Sequence, residues 1–252
     1  LDIQNKYGAV VISNWEKDSV KFEIHVISYG DKLDRVRDKL EEIEIDFVHT
    51  GSYVSANTEW ISASPWSKSL DEIRNSLNSS SRVEVNYRVF LPKKADLNLD
   101  NKFGDVFLPT IMGSLQADIA HGSFRADEIT KIRHLKVKYG DARIKKSNTA
   151  SIDISFGDLE IEEITEELIL NSTGADVSIE RVKHLTFYSK KDELRVESVG
   201  KMEGTATLSD IRVEGLENSI DINCKLGSLK LKNMETDFER INVDSYLTDI
   251  TL

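Results

Sequence analysis

Carboxylate side chains recur along this chain at one place in a short repeated motif. The motif is an aromatic residue followed by glycine and aspartate, as in Phe103-Gly104-Asp105, Tyr139-Gly140-Asp141 and Phe156-Gly157-Asp158. The residues that follow the glycine position are Asp105, Ser123, Asp141, Asp158, Asp192, Asp210, Ser228 and Asp249. Stacked at one spacing, such carboxylates could bind Ca²⁺, which takes many oxygen ligands.

Turn chemistry explains the same column without a metal. Asp and Ser side chains cap nearby backbone N–H groups in turns, and the column accepts Ser in place of Asp. The glycine-dense nonapeptide pattern of calcium-binding β-helices is absent from the sequence, and Lys102 and Lys138 lie close enough to offset part of the charge. We therefore predict no metal site and a structural turn column that includes Gly104, Asp105, Gly140, Asp141, Gly157, Asp158 and Gly227.

The glycine position recurs at a nearly constant interval, which is typical of a repeat architecture. It falls at Gly104, Gly122, Gly140, Gly157, Gly174, Lys191, Ser209, Gly227 and Thr248, with steps of 17 or 18 residues and a last step of 21. Glycine at a tight corner predicts a backbone with positive φ, which glycine adopts at little cost. The residue before it is usually aromatic or aliphatic, which predicts a stacked apolar ladder.

Each period contains two short runs in which apolar and polar residues alternate, such as Leu159-Glu160-Ile161 and Leu168-Ile169-Leu170. A period of two indicates β-strands with one buried face. No segment between the runs is long enough for a crossover helix. The sequence therefore predicts a mainly β protein, with a parallel β-solenoid over residues 96–252 and two strands in each coil of 17–18 residues. Three strands per coil is the alternative.

Residues 1–95 predict an α+β cap that covers one end of the solenoid. Alternating segments indicate an antiparallel sheet, and Asp31–Ile43 has the apolar stripe of an amphipathic helix, with Asp31 as its N-cap. The segment Asn5–Val10 matches Asn101–Val106 in residue type and order. This match predicts that a first solenoid-like unit lies at the N-terminus and that the regular coils resume near residue 96.

Three tryptophans are candidates for stacking on sugar rings. Trp15 and Trp60 fall in the predicted cap, where we expect core packing. Trp66 follows Pro65 in a polar loop that spans residues 61–82. Because functional residues concentrate on such loops, Trp66 is the predicted ligand-binding residue.

Composition excludes several classes of function. The chain has 252 residues and a formal net charge of -11, and it lacks the clustered Lys and Arg that phosphate binding needs, so we expect no nucleic-acid partner. No apolar run has the length of a membrane span. The one cysteine, Cys224, alternates with apolar residues and is expected to be buried. Zinc-site spacings and nucleophile or nucleotide motifs are absent, so we predict no catalytic residues and no cofactor.

Several segments together resemble a known family. They are Asn5–Val10 with Trp15, then Val89-Phe90-Leu91-Pro92, then Asn101–Val106 followed by the repeats. In these features the chain resembles the bacterial family of adhesin-like β-solenoid domains of unknown function. The resemblance implies export to the periplasm or cell surface, with a signal peptide outside this sequence, and a non-enzymatic role in the cell envelope.

Three functions follow from the repeat and the resemblance. The first is a cell-surface binding scaffold, whose partner is a glycan or an envelope protein. The second is a carbohydrate-active β-helix enzyme, a polysaccharide lyase or hydrolase, although the coils from 101 to 240 are too regular to hold the long loops of such enzymes. The third is an envelope signalling or assembly partner. We expect a monomer or a dimer formed end to end near Leu252.

Overall fold

A computed structural model of the chain describes residues 1–61, 82–234 and 238–251. The fold is mainly β, a parallel β-solenoid of about eight turns with coils of roughly 18 residues and an N-terminal cap of one helix and several strands. The predicted fold class is confirmed. Trp66 and the rest of residues 62–81 of its loop lie outside the described residues, as does Leu252.

The elements follow one another in chain order as short strands, a helix and then long strands. They are β1 (Asp2–Lys6), β2 (Val10–Asn14), β3 (Lys21–Tyr29), α1 (Leu33–Glu41), β4 (Ile43–Thr50), β5 (Tyr53–Trp60), β6 (Arg82–Leu91), β7 (Leu97–Lys102), β8 (Val106–Leu108), β9 (Ile111–Ala120), β10 (Phe124–Lys138), β11 (Ala142–Ser155), β12 (Asp158–Thr173), β13 (Asp176–Lys190), β14 (Glu193–Thr207), β15 (Asp210–Val213), β16 (Leu216–Leu231) and β17 (Arg240–Thr251).

The strands of the regular coils are longer than the sequence pattern predicts. Backbone pairing continues around most of a coil, so that β10 alone pairs with β11 from Phe124 to Lys138. The two predicted runs are parts of this one strand, and they are separated by a register shift between Ile132 and Leu135. A bulge of this kind bends the strand and lets the coil turn without a loop.

The core is a stack of aliphatic side chains that point into the coil. At one position of successive coils, Ile144, Ile161, Ile179 and Val196 lie in register, and each is buried. Burying each such side chain stabilises the fold by roughly 1.5–3 kcal/mol before entropy is counted. Cys224 is also buried, as predicted, and burial raises the pKa of its thiol.

The N-terminal strands form a coil of the solenoid, and they occupy an unexpected place in it. Strand β1 pairs in parallel with both β5 and β7, and β2 pairs in parallel with both β6 and β8. Asn5 lies opposite Asn101 and Lys6 opposite Lys102, so the matched segments are stacked on one another. The first residues of the chain therefore lie between the cap and the first regular coil.

The cap is built on the outer side of that inserted coil. Strand β3 pairs antiparallel with β6, and β4 pairs antiparallel with β5. The helix α1 is shorter than predicted, and its N-cap is Lys32 rather than Asp31, with no side-chain capping hydrogen bond at that position. Its predicted apolar stripe is not buried, since Leu33 is 72% exposed.

The explanation for the glycine slot is corrected by the structure. Positive φ belongs to the residue before the glycine, as in Tyr139 (54°) and Phe156 (59°), and not to Gly140 or Gly157. Glycine is needed for a different reason. A Cβ placed on Gly140 would lie 2.1 Å from the carbonyl oxygen of Gly122 in the preceding coil. The stacked backbones approach too closely at this corner for any side chain.

The predicted apolar ladder lies at the same corner. Five rings are stacked in sequence, with centroid separations of 4.8 to 5.3 Å: Tyr7, Phe103, His121, Tyr139 and Phe156. Trp60 closes the outer end with an edge contact of 5.4 Å to Tyr7. The left-handed backbone of these residues costs about 1 kcal/mol each, and ring stacking of about 0.5–1.5 kcal/mol per pair offsets that cost.

The alignment of the later coils also needs correction. Gly174 has φ of 60° and occupies the position of Phe156, not that of Gly157. Lys191 likewise has φ of 60°, so Asp192 occupies the glycine position of its coil. The carboxylate column continues through Asp176 and Glu193 instead, which pair in register with Asp158 and Asp210.

Candidate ligand-binding groove

The carboxylates of the turn column make hydrogen bonds between successive coils. The backbone N–H of Ser123 donates to Oδ1 of Asp105 at 2.8 Å, and the N–H of Asp158 donates to Oδ1 of Asp141 at 3.3 Å. Farther along, the hydroxyl of Ser228 donates to Oδ1 of Asp210 at 2.6 Å. Each carboxylate therefore caps the start of the next coil, which is the chemistry that turn residues supply.

Within residues 1–61, 82–234 and 238–251, no three His, Cys, Asp or Glu side chains come together as a metal site would require. The carboxylates instead repel one another. The pKa of Asp158 is raised, first by partial desolvation and then by the charges of Asp141, Asp176 and Glu160.

Because its pKa is higher in the folded chain than in the unfolded chain, the charge on Asp158 destabilises the protein at neutral pH. The loss of stability develops as the pH rises from the unfolded-state pKa of 3.8 through the raised pKa of the folded chain. We expect Asp158→Asn to increase the free energy of unfolding by a few tenths of a kcal/mol at pH 7. The gain should vanish near pH 3, as measured by urea unfolding at both pH values.

The control is Asp141→Asn, which keeps an oxygen acceptor for the N–H of Asp158. It removes the same unit of charge from the column. A stability loss in Asp158→Asn at neutral pH, with no loss in the control, would show that the Asp158 carboxylate has a favourable partner.

A groove of about 490 Å³ crosses the outer face of strands β10 to β14. The outward residues of these strands form two columns in register across the coils. We call it the Tyr188 groove, and its outward lining residues are Lys136, Lys138, Asp153, Ser155, Asn171, Thr173, Tyr188, Lys190, Thr205 and Thr207. Neighbouring coils are about 4.8 Å apart and the two columns about 7 Å apart.

Only some of the charged side chains in the groove have a partner of opposite charge. Asp153 accepts a hydrogen bond of 2.7 Å from Nδ2 of Asn171 and lies 3.6 Å from Nε2 of His134. Lys136 pairs with an aspartate outside the groove, Asp118, at 3.3 Å. Lys138 and Lys190 make no ion pair with any other described residue. The groove thus offers two uncommitted cations.

Tyr188 is held in place by its neighbours on the inner side of the sheet. Phe187 points into the core and is fully buried. Its ring and carbonyl lie over Gly204, where an added Cβ would be 2.2 Å from the carbonyl oxygen and 2.6 Å from the ring. The side chain of Tyr188, next in sequence, therefore faces outward, where it is 59% exposed beside Asn171 and Thr205.

This surface combines three kinds of contact. Hydroxyl and amide groups donate and accept hydrogen bonds, the Tyr188 ring offers an apolar surface with a polar tip, and the two lysines attract anions. A ligand that is rich in hydroxyls and carries scattered negative charge matches all three.

Sequence reasoning did not find this groove. Its signal is a change in the outward residues, from mostly charged in the first coils to Ser, Thr and Asn in the coils that contain Ser155, Thr173 and Thr207. That change is visible only after the coils are aligned in the correct register. The predicted tryptophans lie elsewhere: Trp15 and Trp60 are half-buried in the cap region.

Comparison of the chain with family models, with curated proteins and with solved structures found no match. The described part of the chain has no helix with the length and apolarity needed to cross a lipid bilayer.

Proposed function

We propose that this protein is a non-enzymatic binding scaffold of the bacterial cell envelope, of the adhesin-like kind that its sequence resembles, and that the Tyr188 groove binds a glycan. The observation that carries the proposal is the groove itself. It joins an exposed tyrosine to a floor of hydroxyl and amide groups on a rigid, regular sheet.

A polymeric ligand suits this surface because the groove crosses several coils. Equivalent outward positions recur at each coil, about 4.8 Å apart. A chain of sugar units along the solenoid axis therefore meets hydrogen-bonding groups of the same kind at each step. Sites built on paired strands also need little reordering on binding, which limits the entropic cost.

The charge of the groove favours an acidic glycan over a neutral one. Lys138 and Lys190 lie in one column, separated by Ser155 and Thr173. A carboxylate-bearing sugar can reach either ammonium group. Because both lysines are exposed, the electrostatic part of this binding should weaken as salt is added.

The test is isothermal titration calorimetry with two polysaccharides of similar length, one neutral and one containing uronic acids. We expect the acidic polymer to bind more tightly, and Tyr188→Ala to weaken binding about tenfold through loss of ring stacking. Tyr53→Ala is the matched control, because Tyr53 is an exposed tyrosine of β5 in the cap, away from the groove.

Two results would contradict the proposal. Equal losses in Tyr188→Ala and Tyr53→Ala would show that the groove is not the binding site. Shortening of either polysaccharide during incubation, detected as new reducing ends or unsaturated products, would replace the scaffold with a carbohydrate-active enzyme.

A further inference from the structure

A second exposed surface runs along the corner of the solenoid, separate from the floor of the groove. Its residues are the ring-bearing and aliphatic side chains at the positive-φ position of the coils, which we call the corner ridge: Tyr7, Phe103, His121, Tyr139, Phe156, Leu208, Leu226 and Leu247. Gly174 and Lys191 hold this position in the two coils between Phe156 and Leu208 and divide the ridge into two stretches. The apolar members are between 36% and 69% exposed. Exposed apolar side chains lined up over several coils are typical of an interaction site.

The geometry of the ridge limits what it can bind. The rings of Phe103, His121 and Tyr139 are parallel within 8°, so each ring face is covered by the next ring. Only ring edges and leucine methyl groups point outward. A planar ligand therefore cannot stack on the ridge, but another ridge of apolar edges can pack against it.

Opposite charges flank the ridge at the same height. In three coils a lysine precedes the positive-φ residue and an acidic residue follows it. The pairs are Lys102 with Asp105 and Lys138 with Asp141, beside the rings, and Lys190 with Glu193, beside Lys191 where the ridge is interrupted. In all three coils the lysine lies on the same side of the corner, so that side is basic and the opposite side is acidic.

We infer that the corner ridge docks against the ridge of a second copy of this chain, side by side and in the same direction. A twofold axis along the ridge leaves every coil at its own height and exchanges the two flanks. Lys138 of one copy then faces Asp141 of the other, and the same pair forms twice. A twofold axis across the ridge would bring lysines against lysines, so charge complementarity selects the parallel arrangement.

The acidic flank has a physical need for added positive charge. The pKa of Asp158 is raised by its acidic neighbours Asp141 and Asp176 as well as by desolvation. Lysines from a second copy would relieve this repulsion, while those of the same copy lie across the ridge. The inference shares Lys138 and Lys190 with the Tyr188 groove. It does not require a glycan, because the dimer is tested on the protein alone.

Sedimentation velocity over a range of protein concentrations, at low salt, tests the dimer. We expect wild-type dimers, and a dissociation constant about tenfold higher for Lys138→Glu, since each copy then places two acids together. Asp141→Lys should weaken the dimer similarly. An equimolar mixture of the two variants should restore association, because the mixed dimer has one wild-type contact and one reversed contact, and both join opposite charges.

Thermal unfolding of each variant shows that it is folded, and Tyr188→Ala serves as a groove control that should leave association unchanged. Introduced cysteines test the direction. In the parallel dimer, the cysteine of Tyr139→Cys should form a disulfide with the same cysteine of the second copy, and so should the cysteine of Leu226→Cys. In an antiparallel dimer, identical positions meet at one height only, so at most one of the two variants should form this disulfide. Three results would overturn the inference. They are a wild-type protein that stays monomeric at about 100 μM, end-to-end association that Lys138→Glu does not affect, and no recovery of association in the mixture.

Discussion

Replacing Gly157 by alanine is expected to destabilise the protein by about 3 kcal/mol, whereas replacing Gly174 by alanine should cost about 1 kcal/mol. Gly174 has the positive φ, and Gly157 does not. A rule based on φ alone would give the opposite order. The difference lies in what a new methyl group would meet.

At Gly157 the methyl would lie 1.9 Å from the carbonyl oxygen of Gly140, a main-chain atom of the preceding coil that cannot rotate away as a side chain can. At Gly174 the nearest atoms are ring carbons of Phe156 at 3.1 Å, and that side chain is exposed and can rotate. The backbone strain at Gly174 is modest, since Leu208 and Leu226 adopt φ of 56° at the same position.

The next coil shows why the cost at Gly157 is limited. Ala175 occupies the glycine position there, and Asp176 donates its N–H to the carbonyl of Gly157 at 3.3 Å. At the preceding corner, Asp158 donates its N–H to the side chain of Asp141 instead. A corner can therefore be built around a methyl group, but it needs a different hydrogen-bond pattern.

Chemical denaturation of both glycine variants provides the measurement, with the wild type alongside. Gly51→Ala is a useful control, since Gly51 has positive φ in the cap and no atom within 4 Å of an added Cβ. It reports backbone strain alone. If Gly174→Ala proves more destabilising than Gly157→Ala, then φ and not the approach of the coils determines where glycine is required.

Loss of the Asp192 side chain is expected to be almost as damaging. This carboxylate is buried, and it accepts hydrogen bonds from the hydroxyls of Ser172 and Ser189 and from the backbone N–H groups of Ala175 and Lys190, at 2.6 to 2.9 Å. Asp192→Ala removes the acceptor of four hydrogen bonds, and only the hydroxyl of Ser189 keeps another acceptor, Oγ of Ser209 at 3.0 Å. We expect a loss of roughly 3 kcal/mol in the free energy of unfolding.

Asp192→Asn separates charge from shape. Its oxygen can replace one carboxylate oxygen, but its NH₂ group then faces a backbone donor, so part of the loss should remain. Asp210→Asn is the control, because Asp210 is exposed and keeps an acceptor for the hydroxyl of Ser228. We expect it to stay within about 0.5 kcal/mol of the wild type. Equal effects at Asp192 and Asp210 would contradict the network.

The period of the repeat, the parallel coils and the cap could be predicted because they depend on residue types in order along the chain. The role of Gly140 could not, because its restraint is a contact with Gly122 in another coil. In an aromatic residue followed by glycine, either residue could adopt the left-handed backbone conformation, and the residue types do not show which one does. In the same way, the sequence pattern predicts that Asp192 follows the glycine position, whereas Asp192 occupies the glycine position itself.

Functional surfaces were harder to predict than the fold for a related reason. The Tyr188 groove and the corner ridge both consist of residues from four or more coils. The aromatic-glycine-aspartate motif marks the ridge position in several coils, but no local motif marks the groove. Trp66 can be proposed from the sequence alone, because recognising a single loop residue does not depend on how the coils are aligned. The inward and outward alternation identifies the core, but the neighbours across the sheet are known only once the coils are stacked.

The inserted first coil makes the order of assembly differ from the order of the chain. Strands β1 and β2 find their partners only when β5 to β8 are present, and the pairing of Asp2 with Asn98 spans almost a hundred residues. A chain emerging from the ribosome or a translocon therefore carries its first strands unpaired until the cap and the first regular coil have both appeared. Such distant pairing slows nucleation, whereas the later coils can each add to an existing template.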